Sequence, residues 1–356
     1  MKEERLFEYL THKDSTPFSK DVIENWYKAR AYVLDKLGDV AIGSSSKEHL
    51  HVVVQGDNPL MLSVVRQVAL SAHFPNYDET TGENRTVITI VSQSDGIVQK
   101  LCKEEYLCNL PIHCKCTVDG AVTNPDSYID IELEVMKDVK QCNDDKAIVM
   151  SEDDLKNVLS NKPKDAIYGI DTRKAVLAKR MYDIGALIDN IPAEDIHSAN
   201  RYALALDVFQ HKELKGPLTE LVNEADWKKD LTIVKNGLSN VFCADCFESR
   251  AKGMETEKSW EKYNEPLSKS EHARWVVEKL VMGFRPLSPE EHVKDEEKFG
   301  DAQKQYRKRL KNNSEDPAHI DLCSYADLRR INPEDLKYDS FLMLAIPKIL
   351  KKLRIE

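Results

Sequence analysis

Residues 49–56, H-L-H-V-V-V-Q-G, set the architecture of this chain, because their β-branched run predicts a buried strand. Asn58 and Pro59 follow it and fit the N-cap and first residue of a helix, which the apolar run 60–74 continues. A polar loop then leads into R-T-V-I-T-I-V, residues 85–91, which predicts a second strand. Strand, tight turn, helix and strand form a βαβ unit, whose crossover is expected to be right-handed in a parallel sheet.

The flanking segments extend this α/β pattern. Strand-like runs recur at 112–118, 128–135 and 146–150, and the last precedes a helix that begins S-E-D-D-L. An amphipathic helix is predicted at 21–37, and from Thr172 onwards the spacing of apolar residues turns helical. We therefore expect an α/β domain with a parallel sheet, followed by an all-helical domain. The expected segments are an N-terminal helical segment (1–46), the sheet domain (47–165), a helical connector (166–255) and a C-terminal helical domain (256–356).

The turn after the first strand bears on cofactor binding. A dinucleotide-binding Rossmann turn carries G-x-G-x-x-G, so that backbone amides can approach a pyrophosphate. Here the turn reads G-D-N-P-L-M, in which Asp57 would repel a phosphate and Pro59 lacks an amide hydrogen. We expect a Rossmann-like topology without a resident cofactor. If the turn holds a ligand, Gly56 and Asn58 are the candidate contacts.

The composition is that of a folded globular protein, with 41% hydrophobic and 31% charged residues among 356. A net charge of -10 argues against general nucleic-acid binding, although it still allows a local basic pocket. The first residues contain no apolar run, and nowhere do eighteen apolar residues follow one another. We therefore expect a cytoplasmic protein.

Eight cysteines are too few to staple a chain of this length, so we expect free thiols in a reducing compartment. Two groups of them can also be read as zinc ligands. Cys243-x-x-Cys246 stands alone, and the group from Cys102 to Cys116, which includes His113, matches no standard paired spacing. We expect no metal site.

Residues 267–287 combine helix signals with chemically capable side chains. Ser268 followed three residues later by Glu271 is typical of a capping box, which predicts a helix start at this point. Gly283 is a natural helix end. The polar run 290–316 that follows has almost no apolar face, so it predicts an exposed helix or a mobile insert.

The predicted helix has two distinct faces. Its apolar stripe, which we expect to face the core, consists of Ala273, Val276, Val277, Leu280 and Phe284. Beside that stripe, His272, Trp275 and Lys279 share one face, and Arg274 and Glu278 can pair on the far side. This second face is either one wall of a ligand pocket or a half-buried tryptophan among solvated charges.

The C-terminal third of the chain resembles the ryanodine-receptor repeat, or RyR domain, through a series of motifs in the family's order. These are E-H-A-R-W (271–275), G-F-R (283–285), H-I-D-L-C-S-Y-A-D-L (319–328), K-Y-D (337–339) and A-I-P-K-I-L (345–350). The chain departs from the family pattern at Phe284, where the family prefers Trp, and at Ile320, where a His-Pro pair is usual. Both departures concern the rim of the pocket that the family suggests.

The upstream part is similar to bacterial proteins that join a TrkA-N-type Rossmann domain to an RyR domain. The supporting residues are the strand before Gly56, the run A-L-S-A-H-F-P-N (69–76) and S-A-N-R-Y-A (198–203). Because the glycine signature is missing, the resemblance implies a degenerate version of that domain.

The two resemblances imply a non-enzymatic sensor of a nucleotide-like ligand, in a bacterial signalling or defence system, that forms a homo-oligomer. In the implied pocket Trp275 or Phe284 stacks a base, Tyr325 closes the other face, and a cation neutralises a phosphate. The candidate ligand-binding residues are His272, Arg274, Trp275, Lys279, Phe284, Arg285, Tyr325 and Asp339. We expect no catalytic residues.

Two other classes of function stay open. The first is a soluble regulator that contacts a membrane channel or transporter. The second is an enzyme acting on a nucleotide substrate with Glu271 and His272 as acid and base, although neighbouring helix residues point about 100° apart.

Overall fold

A computed structural model describes residues 20–103, 106–142, 144–163, 167, 242–243, 245–254, 264–313, 315–336, 338–340 and 343. The helices predicted after Thr172, most of the predicted connector and the segments S-A-N-R-Y-A and A-I-P-K-I-L lie outside these residues.

The described part contains a six-stranded sheet in the order β4-β3-β5-β2-β1-β6. Its strands are β1 (His51–Gln55), β2 (Thr86–Val91), β3 (Lys115–Val118), β4 (Ala121–Thr123), β5 (Ile131–Met136) and β6 (Ile148–Ser151). All neighbours are parallel except β3 and β4. From β1 the chain adds β2 and β5 on one side and then β6 on the other, which is the strand order of a Rossmann-like half-sheet with its switch point between β1 and β6.

Most of the sheet follows from the sequence pattern. The predicted strands at 49–56, 85–91, 128–135 and 146–150 are confirmed as β1, β2, β5 and β6. The strand predicted at 112–118 is shorter, because its first residues belong to a short helix. Strand β4 was not predicted. It exists because Asp119 and Gly120, with φ of 48° and 81°, form a two-residue turn that folds three exposed residues back onto β3.

Helices surround the sheet and continue beyond it. Those interleaved with the strands are α1 (Lys20–Leu37), α2 (Pro59–Ser71), α3 (Ile97–Leu101), α4 (Leu110–His113) and α5 (Glu152–Ser160). Those of the C-terminal part are α6 (Phe247–Met254), α7 (Asn264–Val281), α8 (Pro289–Glu296), α9 (Gly300–Lys311) and α10 (Tyr325–Ile331). Short 3-10 turns occur at Val139–Gln141 and Pro333–Asp335.

The start of α2 matches the prediction. The Asn58 side chain accepts a hydrogen bond from the Met61 amide at 3.0 Å, and Pro59 occupies the first turn. The helix is buried along nearly its whole length, with α1 packed on one side and α7 in contact further along. This is why its sequence is almost continuously apolar.

The polar run 290–316 forms exposed helices, as one of the two alternatives predicted. It contains α8 and α9, and Ser288 with Glu291 completes a capping box at the start of α8. Phe299 lies between the two helices and is 81% exposed.

One apolar cluster continues from the sheet into the C-terminal helices. It includes Val52 and Ile88 of the sheet, Val65 of α2, and Val277 and Leu280 of α7, all fully buried. Burying each such side chain stabilises the fold by roughly 1.5–3 kcal/mol, and Val277 and Leu280 thereby hold α7 against the helices α2 and α4 beside the sheet. In the part of the chain that the structure describes, no helix has the length and apolar character needed to span a membrane.

Candidate functional site

The end of α7 is fixed to the sheet side of the molecule. Gly283 has a φ of 87°, its amide donates to the Leu280 carbonyl and the Phe284 amide donates to the Lys279 carbonyl, so the helix ends in a Schellman motif. The predicted helix end is therefore confirmed. The Asn109 amide group donates to the carbonyls of Gly283 and Phe284, at 3.0 and 2.8 Å. Phe284 itself packs partly buried against the core.

The predicted helix start is wrong, because α7 begins four residues earlier, at Asn264. Ser268 is buried inside the helix, and the Glu271 carboxylate accepts hydrogen bonds from Arg250 and Arg274 rather than capping an amide. The capping pattern is a local signal, and it cannot register that Arg250 on α6 packs against this side of α7.

An ion-pair cluster therefore occupies one side of α7. Arg250 Nη1 lies 2.6 Å from Glu271, Arg274 lies 2.8 Å from Glu271 and 2.7 Å from Glu278, and Lys279 Nζ lies 2.8 Å from Glu278. Burial by itself raises the pKa of Glu271, but the Arg274 and Arg250 guanidiniums outweigh it and lower that pKa to about 2. These five residues, called the ion-pair cluster below, set three cationic side chains against two carboxylates, and the pairing commits Arg274 to the interior.

His272 occupies the next position around α7. Its Nε2 donates to the Cys323 carbonyl at 2.9 Å, and its Nδ1 lies 3.6 Å from the Asp339 carboxylate. Burial opposes charge on both groups. For His272 the contacts with Asp339 and Cys323 prevail and raise its pKa to about 10, whereas burial keeps the pKa of Asp339 above its usual value. His272 is thus a buried imidazolium, which attracts anions but cannot accept a proton at neutral pH.

Trp275 lies at the centre of a group of aromatic and cationic side chains on the next face of α7. Its ring is stacked with His272 at 6.1 Å, meets the edge of His319 at 5.0 Å and lies 5.6 Å from the Lys279 ammonium. We call these four residues the Trp275 cluster. The predicted shared face of His272, Trp275 and Lys279 is therefore present, but Trp275 is half-buried and packs against the core, as the alternative interpretation also required.

A cleft opens on the other side of His272, where the amino ends of β2 and β5 meet α7. Tyr77 and Tyr128 come from the loops before these strands, and Tyr325 begins α10. We call it the tyrosine cleft; Lys269, His272 and Cys323 also line it. Its empty volume is about 350 Å³, counted out to the open solvent.

Hydrogen bonds fix the walls of the tyrosine cleft to each other. Tyr77 donates to the Tyr128 carbonyl at 2.9 Å, and Tyr128 donates to the Leu322 carbonyl at 3.0 Å. The Glu79 carboxylate accepts from the amides of Tyr325 and Ala326, at 2.9 and 3.1 Å, and so caps α10 from across the cleft. The aromatic rings are therefore held in place without a ligand.

The structure distributes the predicted site residues over several places. His272 and Tyr325 line the tyrosine cleft, Trp275 and Lys279 lie in the Trp275 cluster, and Asp339 lies beside His272. Arg285 lies apart from both, because it pairs with Glu291 and Asp316 at 2.7 and 2.8 Å.

The sequence pattern did not identify three of the residues that line the cleft, Tyr77, Glu79 and Tyr128. They precede strands β2 and β5, and nothing in their local pattern indicates that these loops face α7. Only the packing of α7 against the sheet domain brings the loops before β2 and β5 next to this helix.

The turn at Gly56 is occupied by side chains of its own. Asp57 accepts a hydrogen bond from the Ser92 hydroxyl at 2.5 Å, and hydrogen bonds from Ser92 and Ser94 lower its pKa. The Asn58 side chain donates to Glu152 at 2.5 Å while it caps α2. Two carboxylates, those of Asp57 and Glu152, thus lie beside the turn, where they would oppose the approach of a phosphate.

The eight cysteines are free thiols. Within the described residues, no three His, Cys, Asp or Glu side chains are grouped as metal ligands would be. Cys246 lies against the Ser71 carbonyl at 3.5 Å, and burial raises its pKa to about 11. The Cys243-x-x-Cys246 pair therefore packs as apolar thiols where α6 meets α2.

Comparison with models of known protein families, with curated proteins and with solved structures finds no match to this chain.

Proposed function

We propose that this chain is a non-enzymatic sensor that binds a nucleotide-like ligand in the tyrosine cleft, with its C-terminal helices forming an RyR-type domain. The observation that carries the proposal is the meeting of three tyrosine rings from three separate segments with a buried imidazolium and a lysine.

Each lining group suits part of a nucleotide. The faces of Tyr77, Tyr128 and Tyr325 offer stacking surfaces, and base–aromatic stacking contributes about 1–3 kcal/mol per base. Lys269 supplies positive charge for a phosphate group, whereas both ring nitrogens of His272 already face Cys323 and Asp339. The empty volume of about 350 Å³ includes open solvent, so the cleft is a shallow opening in which part of a ligand would stay exposed. This size favours a single nucleotide unit inside the cleft.

The protonation of His272 favours binding over catalysis. A general base must be unprotonated at the working pH, whereas contacts with Asp339 and Cys323 raise the pKa of His272 to about 10. Glu271, the other candidate in the enzymatic alternative, lies in the ion-pair cluster and bonds to Arg250 and Arg274. Glu271 and His272 are therefore not placed to act as acid and base on the same bond of a substrate.

Thermal unfolding in the presence of a panel of mononucleotides at millimolar concentration tests the proposal. A nucleotide present at about 100 times its Kd should stabilise the chain by about 2.7 kcal/mol. Tyr325→Ala removes a stacking surface and Lys269→Ala removes an exposed ammonium, so both should reduce this stabilisation. Lys137→Ala, an exposed lysine just after the carboxyl end of β5 and so at the opposite end of that strand from Tyr128, is the matched control and should leave the stabilisation unchanged.

Cys323 gives an independent readout inside the cleft. A bound nucleotide should slow alkylation of Cys323, whereas the half-buried Cys102 and Cys142, which do not line the cleft, should react at the same rate as before. If no nucleotide stabilises the chain, or if Tyr325→Ala and Lys269→Ala leave the stabilisation intact, the proposal fails.

A further inference from the structure

Arg85 is a buried arginine that contacts a wall of the tyrosine cleft without lining the cleft itself. It immediately precedes β2, and its side chain donates hydrogen bonds to three main-chain carbonyls. Nε donates to Ile129 at 3.0 Å, Nη1 donates to Gly82 at 2.9 Å, and Nη2 donates to Ser127. Each guanidinium nitrogen therefore bonds to the main chain, through the planar fork of donors that arginine offers.

These carbonyls belong to the two loops that carry tyrosines of the cleft. Two of them come from the residues on either side of Tyr128, so Arg85 fixes the main chain around that ring. The third comes from Gly82, in the loop that carries Tyr77 and Glu79. The guanidinium also lies over the Tyr77 ring, 5.6 Å from its centre. One side chain thus joins the loop before β2 to the loop before β5.

The backbone at Gly82 leaves room for this guanidinium. Gly82 has a φ of 71°, and a Cβ at this position would lie 2.8 Å from the Arg85 Cζ and closer still to Nη1. Because hydrogen bonds to three carbonyls hold the guanidinium, it cannot move aside without giving up some of them. A glycine here supplies both the backbone conformation and the close approach that the contact needs.

From these contacts we infer that Arg85 is a positioning residue of the tyrosine cleft, which fixes the rings of Tyr77 and Tyr128 relative to each other before a ligand binds. The inference rests on the proposed function, since it concerns the affinity of the same cleft. Side chains that are already ordered lose little conformational freedom on binding, so preorganisation raises affinity without adding a contact. We therefore expect the affinity for a nucleotide to depend on a side chain that does not line its binding site.

Equilibrium dialysis with AMP, GMP, CMP and UMP, at a temperature where each variant is folded, tests the inference. Arg85→Lys keeps the charge but loses the planar fork, so the tyrosines would be ordered only on binding. The Kd of a nucleotide that binds the original chain should rise by about tenfold or more. Gly82→Ala should weaken binding in the same way, because its Cβ displaces the guanidinium while Arg85 stays in the sequence.

Two matched variants separate positioning from a general loss of stability. Arg30→Lys replaces another buried arginine, 8% exposed, which pairs with Asp245 and does not line the cleft. Gly120→Ala introduces the same kind of backbone strain, at a φ of 81°, where a Cβ would meet no atom within 4 Å. Both should leave the Kd unchanged, whatever their effect on the unfolding midpoint.

The outcomes distinguish the inference from the proposed function. If the original chain binds a nucleotide and both Arg85→Lys and Gly82→Ala bind it equally well, the inference is overturned and the proposed function stands. The inference is also overturned if Arg30→Lys and Gly120→Ala lose as much affinity, because the loss would then reflect the stability of the whole fold. If the original chain binds none of the nucleotides, the proposed function fails and the inference fails with it.

Discussion

Replacing Glu271 by Gln tests whether the ion-pair cluster stabilises α7. The substitution keeps the shape of the side chain but removes the charge that faces Arg250 and Arg274, both of which are buried. Leaving buried guanidiniums without their carboxylate costs about 3–5 kcal/mol. We therefore expect Glu271→Gln to lower the free energy of unfolding by that amount near neutral pH.

The pKa of Glu271 gives a second route to the same magnitude. Its pKa falls from 4.5 in the unfolded chain to about 2 in the folded protein. Because the folded pKa is depressed, this contribution is complete above pH 4.5 and disappears as the pH falls towards 2. At 1.36 kcal/mol per pKa unit, the shift corresponds to about 3 kcal/mol.

Urea unfolding of the original chain and of Glu271→Gln, measured from neutral pH down to about pH 3, is the appropriate assay. The difference in unfolding free energy should shrink steadily below pH 4.5. Glu265→Gln is the control on the same helix, because Glu265 forms exposed pairs with Lys269 and Arg329 and should change stability by less than about 1 kcal/mol. A loss below about 1 kcal/mol for Glu271→Gln, or a difference that does not vary with pH, would refute the reasoning.

Three further substitutions address backbone and charge elsewhere. In Gly253→Ala the new Cβ would meet the Ile42 carbonyl oxygen at 2.5 Å, so urea unfolding should show a loss of about 1–3 kcal/mol, and an unchanged midpoint would contradict the close approach. In Gly283→Ala the new Cβ would meet no atom within 4 Å, but the φ of 87° is strained for alanine. We therefore expect the free energy of unfolding to fall by about 1 kcal/mol from strain alone. The pKa of His272 is higher in the folded protein than in the unfolded chain, so its contribution to the free energy of unfolding is complete below pH 6.5 and is lost as the pH rises towards 10. Thermal melts should show this loss in the original chain but not in His272→Gln.

Local patterns predicted the elements that local physics determines. The strand at Val52–Val54 followed from its β-branched residues, and Asn58 capped α2 because an amide oxygen three residues before a helical N–H needs no distant partner. Gly283 ended α7 for a similarly local reason, since its backbone conformation suits glycine. In each case the physical cause lies within a few residues of the signal.

The candidate site depended on contacts that no local pattern contains. Glu271 looked like a capping residue until α6 placed Arg250 beside it, and Tyr77 and Tyr128 line the tyrosine cleft only because α7 packs against the helices beside the sheet. The sequence did group His272, Trp275 and Lys279 correctly on one face. It could not show that the tyrosine cleft opens on the other side of His272.

The bond between Glu79 and Tyr325 joins residues 246 positions apart, and it has a consequence for how this molecule can be divided. A fragment containing only the C-terminal helices would retain the RyR-like motifs of the described region, yet it would lose Tyr77, Glu79 and Tyr128. It would keep one wall of the tyrosine cleft and leave α10 without its carboxylate cap. The segment that contains the motifs is therefore smaller than the segment that forms the tyrosine cleft, and transplanting it into another protein would carry over the motifs without the complete cleft.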